Sequence, residues 1–169
     1  MEIGLLLIRA VFGLALAAHA AQKLFGAFGG HGIAGTGGFF EAIGFRPGRL
    51  FATMAGLGEL GGGLALTIGL LTPLASAVVI ATMLVAASVH VEKGFFSQAG
   101  GYELPLLYAT AAAGIAFVGP GPLSFDEALG LSLSGVKWGI LALGLGVAGA
   151  LPPLMVRRTV VARRAEAQG

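Results

Sequence analysis

The chain contains no cysteine. Disulfides, thiolate nucleophiles, thiolate-bound metals and iron–sulfur clusters are therefore excluded within it. It is also poor in charge: Asp, Glu, Lys and Arg make up 11% of its 169 residues, against about 25% in a soluble domain. Apolar residues account for 56%, and the mean hydropathy is +0.91. Spread over long apolar runs, this balance predicts an integral membrane protein rather than a large soluble core. The 30 glycines lie largely among Leu, Ala, Val and Ile, where small residues let membrane helices approach closely. The net charge of +2 owes most to a basic C-terminal stretch, Arg157-Arg158 and Arg163-Arg164. Such a stretch marks topology or attracts anionic lipid, and no nucleic-acid partner is expected.

The expected fold is all-α, a polytopic transmembrane helical bundle. Residues 1–135 should hold a four-helix core with spans at about 3–24, 50–70, 74–91 and 103–118. Residues 136–169 should hold a fifth apolar segment, up to Met155, and a basic cytoplasmic tail. Pro152 and Pro153 are expected to end or kink that last helix. Ala18-His19-Ala20 imitates a signal-peptidase site, but Glu2 and Arg9 do not suit a leader, so a retained span is expected. Between the first two spans the chain is too rich in glycine for a lipid-exposed helix. Thr36–Ile43 is expected to form a short interfacial helix with Phe39 and Phe40 on its apolar side. Five spans place Lys23, Arg46, Arg49, Lys93 and the four tail arginines on one side, and Lys137 on the other with Asp126 and Glu127. The excess of positive charge makes the first side cytoplasmic and the N-terminus external.

Polar residues inside such helices are the candidate site, because burying them in lipid is costly. Arg9, His19, Lys23, Glu59, His90 and Glu103 form this set. Arg9, His19 and Lys23 share a stripe on the first helix, and Glu59 lies near the middle of the second, among glycines. Gly58 and Gly62 have the spacing that admits a close neighbouring helix. Arg9 is the expected charge partner of Glu59. Lys23 also has the bland reading of snorkelling to the interface, and His19 that of a packing histidine. His31, in the glycine-rich loop, reads as exposed. No phosphate-loop pattern and no metal site is expected. Ser124-Phe125-Asp126-Glu127 reads as the cap and acidic first turn of a short helix.

Several segments together resemble the DoxX family of small bacterial membrane proteins. They are Leu7-Ile8-Arg9, His19-Ala20-Ala21-Gln22-Lys23-Leu24-Phe25-Gly26, and Gly29-Gly30-His31-Gly32 through Phe39-Phe40. Gly58-Glu59-Leu60-Gly61-Gly62, His90-Val91-Glu92-Lys93-Gly94-Phe95-Phe96 and Gly100-Gly101-Tyr102-Glu103-Leu104-Pro105 follow in order. The resemblance runs over about residues 3 to 127, with Ala20 where the family often has glycine. It implies a four-helix core, so the fifth span looks like an extension. It also implies a link to membrane redox systems, because the family takes its name from a subunit associated with archaeal thiosulfate:quinone oxidoreductase. It supplies no catalytic residue set.

The leading functional expectation is a plasma-membrane subunit, bacterial or archaeal, associated with redox or quinone-linked chemistry. His19, Glu59, His90 and Glu103 would handle hydrogen bonds or protons, and Arg9 would hold Glu59 charged. A quinone is the cofactor-like ligand considered. Haem between His19 and His90 is disfavoured, because two histidines at this spacing are unspecific. Beyond the lipid bilayer, a redox-enzyme partner or a homo-oligomer is considered. The alternatives are a non-catalytic scaffold that recruits an enzyme, and a protein that binds or transports a small molecule or lipid.

Overall fold

Among the described residues the chain forms seven α-helices. The structure is a computed structural model that describes residues 2–167. Met1, Gln168 and Gly169, which belong to the expected core and tail segments, lie outside the described residues. The helices are α1 (Glu2–Phe25), α2 (Gly32–Ala42), α3 (Gly48–Ile68), α4 (Thr72–His90), α5 (Glu103–Val118), α6 (Phe125–Ala128) and α7 (Val136–Glu166). α1, α3, α4 (with the 3-10 turn that follows it) and α7 are long and apolar enough to cross a membrane. α5 is equally apolar but has 16 residues, about 24 Å of rise against a hydrocarbon core of about 30 Å. The chain is a multi-pass membrane protein with an all-α bundle fold.

Each long helix has a narrow inward stripe and a wide apolar outer face. On α1 the buried residues are Arg9, Gly13, Leu16, Ala20 and Leu24, spaced four, three, four and four apart as one helical face requires. Ile3, Leu7, Val11 and Leu14 are exposed on the other side. An apolar exterior of this extent is what lipid covers. α1 packs chiefly on α3, and α4 packs on α3, α5 and α7. The α1–α3 crossing depends on glycine. A Cβ built on Gly63 would stand 2.6 Å from the Gly13 carbonyl oxygen, and one on Gly13 would overlap Gly63 and Thr67. Gly58 and Gly62 do admit a neighbour closely, α4, through Thr82 and Val79.

Three details depart from expectation. The glycine-rich loop is more ordered than its composition suggests: α2 begins at Gly32 and is pressed so close to α3 that a Cβ on Gly48 would lie 2.1 Å from the Gly37 carbonyl oxygen. α7 passes through Pro152 and Pro153 and continues to Glu166. Prolines are tolerated in membrane helices where the surroundings restore the lost backbone partners, and here the helix beyond them is anchored. Arg157 donates to the carbonyls of Ile43 and Ser88, both at 3.1 Å. Arg164 donates to those of Ala42 and Glu41, at 2.7 and 2.8 Å. Carbonyls at a helix C-terminus lack partners within the helix. Two arginines of the basic stretch therefore cap the end of α2, a role the sequence reading did not assign them.

Candidate functional site

The bundle buries charge at two ends. At the first end, Arg9 is 1% exposed. Its guanidinium donates to the carbonyl oxygens of Pro120 and Leu123, in the connection between α5 and α6. A planar guanidinium can span two carbonyls in this way. Asp126, fully buried, accepts from the backbone N–H of Leu71 at 2.6 Å and of Thr72 at 2.9 Å, and from the Thr72 hydroxyl at 2.7 Å. It caps the N-terminus of α4 from across the fold, where negative charge suits the helix dipole. It also steadies Leu71, whose φ of 45° is unusual for a residue with a side chain. In return, the Asp126 N–H donates to the Gly69 carbonyl at 2.9 Å. The expected cap of α6 is present as well: the Ser124 hydroxyl accepts from the Glu127 N–H at 3.1 Å.

Arg9 is therefore not the partner of Glu59. It lies 14 residues before Lys23, about 21 Å along α1, and the hydrogen bonds it makes go to backbone carbonyls. Glu59 pairs with Lys23 instead. The ammonium lies 2.6 Å from both carboxylate oxygens, and the Glu59 side chain is 5% exposed. The pairing follows from helix direction: α1 and α3 run antiparallel, so the C-terminal part of α1 meets the first half of α3. A position near the middle of a span is compatible with either cation, so the expectation of Arg9 rested on charge alone.

Lys23 and Glu59 stand on the wall of a 120 Å³ cavity that Phe40, Phe45, Thr82 and His90 help to line. His90 Nδ1 is 2.7 Å from the Gly100 carbonyl oxygen. A carbonyl only accepts, so Nδ1 carries the proton, and in the neutral ring Nε2 keeps the lone pair. The His19 ring is edge-on to that of Tyr108, with centroids 6.0 Å apart. Tyr108 was not among the expected site residues; it sits one and a half turns into an apolar helix with no pattern to single it out. Lys23 also borders a second, 320 Å³ pocket formed with Gln22, His31 and Thr36 beneath the glycine-rich loop.

The structure thus brings Lys23, Glu59 and His90 to one cavity, with His19 beside them. Arg9 belongs to the opposite end. Glu103 accepts the Ser97 N–H at 2.9 Å and, with His90, folds the connection between α4 and α5. Among the described residues no group of three or more His, Asp or Glu is arranged to hold a metal ion. An apolar cavity of about 150 Å³ holds one benzene ring, so the space here is on the scale of a single six-membered ring and well below that of a porphyrin.

Compared with known proteins, residues 4–92 match the family model described as DoxX. The match spans α1 to α4 and stops before the Gly100–Pro105 segment. No curated protein and no solved structure matches the chain.

Proposed function

The chain belongs to the DoxX family, and from that premise we propose that it binds a quinone-class ligand, as a subunit associated with membrane redox or quinone-linked chemistry. The observation that carries this reading is buried Glu59, paired with a partly buried Lys23, on the wall of a ring-sized cavity that also holds His90. A quinone carbonyl needs a hydrogen-bond donor, and its reduction needs protons. Lys23 supplies donors, and Glu59 and His90 are groups that exchange protons. No residue of the chain stores electrons, so electron transfer belongs to a bound cofactor or a partner enzyme. The cavity lies at the end of the bundle that carries Arg46, Arg49, Lys93 and the tail arginines, which the distribution of positive charge makes the cytoplasmic face of a plasma membrane. The N-terminus is then external.

The test is quinone titration of the purified protein in detergent, together with a reduced-minus-oxidised absorption spectrum. Wild type should bind a soluble quinone, and Glu59→Gln should weaken binding by about tenfold, about 1.4 kcal/mol, while the protein stays folded. Equal binding by both would remove Glu59 from the site. A flat spectrum, no quinone binding and a stoichiometric co-purifying enzyme would favour the scaffold instead.

A further inference from the structure

α3 and α7 both pack on α4 and make no substantial contact with each other. Between them runs an apolar groove of 200 Å³, with Met54 and Gly58 on one side, Gly149 and Pro153 on the other, and Ala81 on its floor. Its flank is a lipid-facing surface, where Met54 and Val78 are exposed. The groove and the Lys23–Glu59 cavity have four lining residues in common: Phe40, Ala55, Thr82 and Val85. They are therefore neighbouring compartments separated by those side chains. Thr82 donates its hydroxyl to the Val78 carbonyl at 2.9 Å, so the shared wall presents no unpaired donor.

We propose that this groove is the seat of a hydrophobic tail, and that the ligand reaches the cavity sideways from the bilayer. The inference rests on the quinone reading and names the form of the ligand: a ring that sits beside Lys23 and Glu59, carrying a long apolar chain that lies between α3 and α7. At 120 Å³ the cavity has no room beyond a single ring, so a tail must leave it. Its other neighbour, the pocket beneath the glycine-rich loop, sets Gln22, Lys23, His31 and Thr36 alongside Phe39 and Phe40, a less uniform match for hydrocarbon than the groove. The groove is apolar along its length and already open to lipid. A tail placed there exchanges one apolar environment for another, so its contribution comes from close packing against the groove walls.

The experiment compares two quinones with the same ring, one bare and one with a decyl chain, on the full-length protein in lipid nanodiscs. Ala81→Phe and Met54→Trp both fill the groove from its own side chains, from different helices, and neither residue lines the cavity. Each should weaken binding of the decyl quinone by about tenfold and leave the bare ring unaffected, whereas Glu59→Gln should weaken both. Two obstructing variants keep the test valid if one fails to fold. Unchanged decyl-quinone binding in the folded groove variants would overturn the tail route and leave the ring site standing. Equal losses for both quinones would also overturn it, by showing that the substitutions act through the cavity. A wild type that binds neither quinone would overturn both readings.

Discussion

The two buried charge clusters differ in what they bond to. Arg9 and Asp126 direct their hydrogen bonds at backbone: two carbonyls after α5, two N–H groups at the start of α4, and the Thr72 hydroxyl. Lys23 and Glu59 bond to each other, and they face a cavity. A charge committed to backbone is part of the scaffold, because its partners cannot change without unfolding a turn. A charge paired with another side chain keeps an alternative: either member can turn to a ligand, and a neutral pair of similar shape can replace both. The two clusters thus separate into a fully buried one that holds the fold and a partly exposed one that is free to do chemistry.

This contrast can be broken by substitution. The largest effect is expected for Asp126→Ala, which strands two N–H groups and leaves Leu71 without its acceptor. The loss should be about 3–4 kcal/mol, with charge-assisted bonds each contributing about 1.5–3 kcal/mol, and a thermal melt in detergent measures it. Arg9→Met should follow at about 2–3 kcal/mol, and Arg9→Lys should recover little, because an ammonium does not reproduce a fork across two carbonyls. No second substitution elsewhere should rescue either, since every partner but the Thr72 hydroxyl is main chain. At the other end, Lys23→Met alone should cost about 2 kcal/mol by leaving Glu59 buried and unpaired. Adding Glu59→Gln should return most of that stability and leave quinone binding lost. A double variant as unstable as the sum of its parts would show that this end, too, is scaffold. The smallest effect is expected for Glu103→Gln: an unchanged melt, with faster amide exchange confined to residues 94–102, whose Ser97 N–H it holds.

Much of the bundle was legible because period and length are properties of the chain itself. The bounds of helices α1, α3, α4 and α5 lie within about two residues of the apolar runs and turn signals. The site was legible only in part. Sequence identifies Glu59 as a buried carboxylate needing a partner, but partner choice depends on which helix ends meet, and Arg9 and Lys23 differ there by a whole span. Asp126 was legible as the acidic first turn of its own helix and not as the cap of another, because the bond to Thr72 crosses 54 residues. A weak signal did exist. Leu71-Thr72-Pro73 opens α4 with no local side-chain cap, so an acceptor had to come from elsewhere. That α7 continues beyond Pro152 and Pro153 instead of ending there was hidden for a similar reason: prolines weaken a helix locally, while the arginines that hold it on the far side reach carbonyls distant in sequence, as in Arg157 to Ile43.

Those long-range caps bear on how the chain is made. Residues 4–92, the part that matches the family, are synthesised first. When they enter the membrane, α4 lacks its Asp126 cap and α2 lacks the arginines at its C-terminus, because Asp126, Arg157 and Arg164 have yet to leave the ribosome. The half of the molecule that contains Lys23 and Glu59 is then a provisional structure, and it is closed only when the last helix arrives and its arginines reach back to the residues translated early.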